Sequence, residues 1–163
     1  MRKLFLIGGG TNLLTCKEMA EDAGFYIQGI LDTVHEVGTV LHGLSVLGTQ
    51  RDIKKLSKEY DTHSVVITIG DNYIRSLIHA YLITAMPDLT YPNLIHNSVV
   101  ISKSAELGVG VVLQAGCIVN PGAKIGDHTL FLTGAHVEHD VKVGNYASIS
   151  AGSLTGGKVE IGE

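Results

Sequence analysis

Large apolar residues recur at every sixth position through the second part of the chain. The series consists of Ile101, Leu107, Leu113, Val119, Ile125, Phe131, Val137, Val143 and Ile149. It is interrupted at Thr155 and resumes at Ile161, and a small or β-branched residue follows most of its members after four positions. A period of six fits neither an α-helix, at about 3.6 residues, nor a strand, at two. The pattern therefore predicts a solenoid of hexapeptide repeats.

In such a solenoid each hexad forms one short strand and a turn, and three hexads close a triangular coil. Residues 18 apart then stack at the strand spacing of about 4.8 Å. Gly, Asn or Ser often directly follows the large residue, as at Gly108, Asn120 and Gly126. We expect these residues to provide the positive φ angles that tight corners require.

The first part of the chain alternates between apolar runs and helical segments, which is typical of a parallel three-layer α/β domain. The predicted strands are 3–7, 25–31, 64–69 and 89–95, and the predicted helices are 12–23, 49–60 (with Thr49 as a possible N-cap) and 72–84. Residues 33–46 are predicted to be mostly loop. We expect a Rossmann-like domain over residues 1–96 and a β-helix over residues 97–163.

Composition narrows the range of partners. Of the 163 residues, 45% are hydrophobic and the net charge is −4, with no basic run, which argues against nucleic acid and anionic membrane as main partners. No apolar run is long enough to span a bilayer, and Met1-Arg2-Lys3 leads directly into a strand rather than a signal peptide. We therefore expect a cytoplasmic protein.

His139 is the principal catalytic candidate. It lies two positions after the interior residue Val137, so it should point outward from a rigid wall, where an imidazole can act as a general base. Asp140 or another carboxylate can hold its tautomer. Gly157 lies 18 residues later and should stack on His139, where its N–H can stabilise an oxyanion. The alternative is that His139 is an ordinary solvated histidine.

We do not expect a metal site. His128, His136 and His139 are the candidate ligands, but neither a helix nor the stacking register brings them to one point. His128 should instead stack with Gly110 and Tyr146 in ordinary surface packing. Cys16 and Cys117 lack the spacing of a ligand pair, and Cys117 should be a buried thiol.

Polar and glycine residues follow the predicted strands of the first domain. Gly8, Gly9 and Gly10 can let a phosphate or sugar approach the backbone, or can form a structural turn. Asp32 can bind a ribose or sugar hydroxyl, or simply end a strand. After Gly70 come Asn72 and Arg75; Arg75 can pair with a phosphate or with a surface carboxylate. The motif Gly-x-Gly-x-x-Gly is missing, which argues against dinucleotide binding.

Together these motifs resemble one family. The Gly turn, the Leu31-Asp32 strand end, the segment Ile69-Gly70-Asp71-Asn72 with Arg75, and the run Asn93-Leu94-Ile95-His96 into hexads are similar to the sialic acid O-acetyltransferases and nucleotide-amino-sugar N-acetyltransferases, including those of the bacillosamine pathway. The segment Val137-Glu138-His139-Asp140 strengthens the resemblance. Thr11, Asn12 and Leu13 stand where members usually have Gly, His and a small residue.

The resemblance implies a left-handed β-helix and acetyl-CoA as the donor. It also implies a nucleotide-linked amino sugar as acceptor, a His139–acid pair as the base, and a homotrimer whose neighbouring subunit completes the donor groove. Ser148 stands where many members have a second histidine at the acetyl-CoA end of the groove, and its hydroxyl can still donate a hydrogen bond. Two alternatives remain open: O-acetylation of a sialic acid, and a non-catalytic protein that binds sugar nucleotides.

Family members carry further coils that help to hold coenzyme A, whereas this sequence stops within a hexad at Glu163. A bare solenoid end leaves strand edges unpaired. We therefore expect that 163 residues is a truncated product.

Overall fold

The structure is a computed structural model that describes residues 2–163. The chain divides into two compact units, Met1–Pro92 and Asn93–Glu163. None of the helices formed by residues 2–163 combines the length and apolar character needed to cross a membrane.

The first unit is an α/β domain. Its strands are β1 (Arg2–Ile7), β2 (Phe25–Leu31), β3 (Val40–Leu41), β4 (Leu44–Gly48) and β5 (Val65–Ile67). Its helices are α1 (Leu13–Asp22), α2 (Ile53–Tyr60) and α3 (Asn72–Ala85), with a 3₁₀ turn at Gln50–Asp52. The sheet order is β3-β4-β2-β1-β5, and all neighbours are parallel except the β3–β4 hairpin. The predicted α/β architecture is confirmed.

Strand β1 lies between β2 and β5 in this sheet. Four successive residues, Leu4 to Ile7, are at most 1% exposed, although successive side chains of a strand point to opposite faces. Both faces of the sheet are therefore covered. Because β2 and β5 flank β1 in parallel, the carboxyl ends of the three strands meet at one edge, where ligands bind in open α/β sheets.

Two segments of this unit differ from the prediction or refine it. The predicted loop 33–46 contains most of the β3–β4 hairpin. Thr49 is an N-cap, as predicted: its hydroxyl oxygen accepts from the Arg51 N–H at 3.2 Å, and the Asp52 carboxylate accepts from the Thr49 N–H at 2.9 Å. This capping box satisfies backbone donors that the helical turn leaves unpaired.

The predicted strand 89–95 does not form as one element. Thr90 makes an isolated parallel bridge with Ser64, and the only regular strand in the segment is β6 (Leu94–Ile95), which belongs to the second unit and pairs there with Val112–Leu113. Ile95 lies 18 residues before Leu113, so it fits the hexad register. It therefore pairs with Leu113 as part of the first coil.

The second unit is a parallel β-helix with three walls. Its strands after β6 are β7 (Val100–Ile101), β8 (Glu106–Leu107), β9 (Val112–Leu113), β10 (Ile118–Val119), β11 (Lys124–Ile125), β12 (Leu130–Phe131), β13 (His136–Val137), β14 (Lys142–Val143), β15 (Ser148–Ile149) and β16 (Glu160–Ile161). The walls are β7-β10-β13, β8-β11-β14-β16 and β6-β9-β12-β15. Partners are 18 residues apart, as in Ile118 with His136, which confirms the predicted stacking.

The coil interior is filled as the hexad pattern predicts. The apolar series and the small residues four positions later form one buried cluster, with Phe131 and Val137 fully buried at its centre. The interruption at Thr155 has a local cause: its hydroxyl accepts a hydrogen bond from the Glu138 N–H at 3.1 Å, while Leu154 is exposed.

The corners of the coil do not form where the sequence analysis expects. Positive φ angles occur three residues after the large one, at Gly110, Gly116, Gly122, His128, Gly134, Asp140, Tyr146, Gly152 and Lys158. The glycines directly after the large residue instead allow the backbone of the next coil to lie close to them. A β-carbon on Gly126 would lie 2.6 Å from the Asn145 backbone nitrogen and 2.7 Å from the Gly144 carbonyl carbon.

Candidate active site

His139 lies at the corner between β13 and β14, and its side chain is 55% exposed. The backbone of this corner is fixed by the coil above. The Lys158 N–H donates to the His139 carbonyl at 2.9 Å, and the Glu138 N–H donates to Thr155. The imidazole therefore projects from a rigid corner, as the spacing from Val137 predicts.

Asp140 lies beside the imidazole. Its Oδ2 is 3.1 Å from His139 Nδ1, within hydrogen-bond distance. Asp140 occupies a left-handed corner position, with φ of 59°, and its N–H donates to the Pro121 carbonyl at 3.0 Å. With the proton on Nδ1 donated to this carboxylate, the Nε2 atom of His139 carries the free lone pair.

Gly157 lies against the other edge of the imidazole. A β-carbon on Gly157 would be 2.5 Å from His139 Nε2 and 2.7 Å from Cε1. The imidazole of His139 therefore occupies the space where the β-carbon of any larger residue at position 157 would lie. The structure brings His139, Asp140 and Gly157 together in two adjacent coils.

Ser148 lies elsewhere in the same chain. It begins β15, in the wall β6-β9-β12-β15, and pairs with Leu130. His139 lies at the corner where the other two walls meet, and in a triangular coil that corner is opposite the third wall. Within one chain, Ser148 and His139 thus face different directions.

The other histidines of this region do not converge on His139. His128 is 1% exposed and stacks on Tyr146, with ring centroids 5.9 Å apart, so its packing is buried rather than on the surface as expected. A β-carbon on Gly110 would clash with the His128 ring. In the described part of the chain, no group of three His, Cys, Asp or Glu residues is arranged to hold a metal ion.

The first unit has a cleft of about 360 Å³ at the carboxyl ends of β1, β2 and β5. Several residues selected from the sequence line it: Gly8, Gly9, Gly10, Asp32 and Gly70. Thr68 also lines it, and its buried hydroxyl donates toward the carbonyls of Ile7 and Gly8. Thr68 is not recognisable as a site residue from the sequence, because a threonine within an apolar strand carries no distinctive signal.

Asp32 is 8% exposed and pairs with a residue that the sequence analysis missed. One carboxylate oxygen of Asp32 contacts His35 Nδ1 and accepts from the His35 N–H at 3.2 Å. Burial raises the pKa of Asp32, but hydrogen bonds from His35 and from the Gly9 backbone outweigh it and leave the pKa below its ordinary value. A β-carbon on Gly9 would lie 2.9 Å from Asp32 Oδ2, so glycine permits this approach. The spacing Asp-x-x-His was the available signal.

Arg75 lies behind the cleft and is 2% exposed. Its guanidinium donates to the carbonyls of Ile69 at 2.6 Å and Gly70 at 3.0 Å, and to Asn72 Oδ1 at 3.1 Å. Burial lowers the pKa of Arg75, and the charge of Asp71 opposes this shift. Neither Arg75 nor Asn72 lines the cleft; together they hold the Gly70 turn, which does.

Each of the two units contains a segment that matches a known protein family. Residues 3–82 match the PglD N-terminal domain, and residues 122–157 match the bacterial transferase hexapeptide (six repeats). No curated protein sequence matches this chain closely enough to serve as a relative.

Solved structures share the whole architecture. The acetyltransferase domain of PglB from Neisseria gonorrhoeae, in complex with acetyl coenzyme A, is 26% identical, with a TM-score of 0.79 over 99% of this chain and 85% of that one. A histidine-to-alanine mutant of GDP-perosamine N-acetyltransferase from Caulobacter crescentus, in complex with CoA and GDP-perosamine, is 22% identical, with a TM-score of 0.79 over 99% and 91%. The chain therefore combines a PglD-type N-terminal domain with bacterial transferase hexapeptide repeats, which is the arrangement of an acyltransferase with a left-handed β-helix.

Proposed function

We propose that this chain transfers the acetyl group of acetyl-CoA to the amino group of a nucleotide-linked sugar. The observation that carries the proposal is the His139–Asp140 pair, exposed at a rigid corner with Gly157 at the Nε2 edge of the ring. The Neisseria and Caulobacter proteins, whose structures contain acetyl coenzyme A or CoA with GDP-perosamine, support the choice of donor and acceptor class. Such substrates indicate a reaction in the cytoplasm.

In the proposed reaction His139 is the general base. Asp140 accepts a hydrogen bond from Nδ1–H, which leaves the lone pair on Nε2. Nε2 then removes a proton from the sugar amine as the amine nitrogen attacks the thioester carbonyl. The carbonyl oxygen becomes an oxyanion, which the Gly157 N–H stabilises. When the tetrahedral intermediate collapses, the C–S bond breaks and the imidazolium returns its proton to the departing thiolate, which gives the N-acetyl sugar and free CoA.

The first unit supplies the acceptor cleft. Backbone groups of Gly8, Gly9 and Gly10 border the space for the nucleotide phosphates, because glycines let an anion approach the main chain. Asp32 accepts from a hydroxyl or N–H of the nucleoside, and its low pKa keeps it an acceptor at neutral pH. Arg75 and Asn72 act indirectly, by holding the Gly70 turn.

A homotrimer completes the donor groove in this proposal. Because Ser148 and His139 face away from each other in one chain, they can border the same groove only if a neighbouring coil presents its own Ser148 wall to His139. The Ser148 hydroxyl of that neighbour then donates to the donor near its thioester end.

The test is to incubate the protein with acetyl-CoA and a panel of nucleotide-linked amino sugars, and to measure CoA release and the product mass. We expect transfer to at least one amino sugar, and a loss of roughly 10²- to 10⁴-fold in His139→Ala. The outcome that contradicts the proposal is full activity in His139→Ala, or transfer to none of the panel.

The same samples distinguish the alternatives. Hydroxylamine cleaves an O-acetyl ester but leaves an amide intact, so an ester product formed when sialic acid is added to the panel identifies a sialic acid O-acetyltransferase. Calorimetry with nucleotide sugar and CoA, each alone, identifies a non-catalytic binding protein if only the nucleotide sugar binds.

A further inference from the structure

Helix α3 exposes an apolar face that no other described residue of the chain covers. The exposed fractions are 70% for Tyr73, 42% for Ile74, 48% for Leu77, 40% for Tyr81 and 47% for Ile83. Ala80 and Thr84 are exposed between them. The buried side of the helix is narrow and includes Arg75 and Leu82.

This face carries no charge, which distinguishes it from other surface helices of the molecule. Between residues 72 and 85 the sequence contains no Asp, Glu or Lys, and its one arginine, Arg75, is buried. Helix α2 in the same unit is the contrast, because its exposed positions are Lys54, Lys55, Lys58 and Glu59. An uncharged, mostly apolar face of this kind marks an interaction surface.

The spacing of the exposed residues fits pairing with another helix. Tyr73, Leu77, Ala80 and Thr84 are separated by four, three and four residues, so they form one straight seam along the helix. Ala80, near the middle of the seam, lets a second helix approach closely, and Ile74, Tyr81 and Ile83 flank it.

We propose that this face binds the α3 of a second copy of the chain, related by a two-fold axis that crosses the seam between Leu77 and Ala80. In the antiparallel pair Leu77 of one copy lies opposite Ala80 of the other, and Tyr73 of one copy lies near Thr84 of the other. Two-fold symmetry places the same patch on both partners, which an uncharged patch permits without repulsion between like charges.

The apolar area lies at the lower limit for this occupant. The exposed side chains present on the order of 500 Å² of apolar surface, so two copies bury at most about 1,000 Å², the lower bound for a specific interface. A lipid surface fits less well, because binding to anionic lipid needs basic residues around the apolar face. Here the only charges next to the helix ends are Asp71 and Asp88.

The test is the mass of the full chain by sedimentation velocity. We expect an even multiple of the chain mass, and half that mass for Leu77→Glu, because the two introduced carboxylates meet across the axis. Val37→Glu, at a 70% exposed position outside the patch, is the matched control and keeps the full mass. If the β-helices also form trimers, Leu77→Glu should change the assembly from six copies to three. Acetyl transfer by Leu77→Glu is measured separately, because this variant should lose the α3 interface and keep the proposed activity.

A second measurement does not depend on the glutamate variant being folded. Cys16 and Cys117 are both buried, and burial raises the pKa of the Cys16 thiol to about 12, so Ala80→Cys supplies the one accessible thiol among the described residues. A short bis-maleimide should link Ala80→Cys into dimers, and Val37→Cys should remain unlinked. Three outcomes overturn the proposal: an odd multiple of the chain mass, an unchanged mass in Leu77→Glu, or equal linking of the two cysteine variants. Flotation of the wild type with lipid vesicles would identify a membrane as the occupant instead.

Discussion

The imidazole of His139 fills the space in front of Gly157, one coil away, where any other residue would place its β-carbon. The two residues are 18 positions apart and are held in register by the hydrogen bond from the Lys158 N–H to the His139 carbonyl. The glycine therefore sets the position of the ring, whether or not its N–H also contacts the substrate. This relationship makes the role of the corner testable without removing the histidine.

Gly157→Ala should reduce acetyl transfer by roughly 10- to 100-fold, because the added methyl group displaces the imidazole from its position beside the reacting atoms. Gly157 does not have a positive φ, so alanine adds no backbone strain, and the melting temperature should change little. Gly156→Ala is the matched control, since a β-carbon there meets nothing within 4 Å. Equal activity of the two alanine variants would contradict the proposed position of His139.

Asp140→Asn should lower the rate by roughly 10²-fold or more. The asparagine amide can donate to Nδ1 of His139, which favours the tautomer with its proton on Nε2, and that tautomer cannot act as a base. Asparagine tolerates the left-handed backbone at this corner, so the fold should be retained. Steady-state kinetics measure the effect, and Glu138→Gln, at the carboxylate on the other side of His139, is the control. A larger loss in Glu138→Gln would assign the supporting role to Glu138 instead.

The sequence predicts the β-helix well because one period determines both the strand positions and the register. Ile118 pairs with His136 and Lys124 with Lys142, as an 18-residue coil requires. The corner geometry is harder to predict, because the left-handed positions are not all glycines: they include His128, Asp140 and Tyr146, and most residues of these types elsewhere have a negative φ. Backbone stacking imposes that conformation on them.

The candidate site is predicted in part for a similar reason. His139, Asp140 and Gly157 follow from the coil register, so the sequence alone brings them together. Asp32 and His35 meet because a loop turns back on itself, and no period describes that turn. Arg75 is predicted to face a ligand or a surface carboxylate, but tertiary packing buries it against backbone carbonyls.

Arg75→Lys should lower the free energy of unfolding by about 2–4 kcal/mol, since lysine cannot reproduce the forked contacts with Ile69, Gly70 and Asn72. The Gly70 turn should loosen, so the KM for the nucleotide sugar should rise more than kcat falls. Urea unfolding and steady-state kinetics measure the two effects. Arg51→Lys, at an exposed position of the same unit, is the control. A loss confined to kcat would mean that Arg75 does not act through the cleft.

The Asp32 carboxylate should make the stability of the first unit depend on pH. Its pKa in the folded protein lies below the ordinary value of 3.8, so folding favours the ionised form. This stabilisation is fully present above the pKa of the unfolded chain and is lost as the pH falls through the folded pKa. The difference in the free energy of unfolding between wild type and Asp32→Asn should therefore be constant above about pH 5 and shrink below 3.8. Urea unfolding at several pH values measures it, with exposed Asp88→Asn as the charge-matched control. A difference that grows as the pH falls would show that burial, rather than the His35 and Gly9 hydrogen bonds, dominates at Asp32.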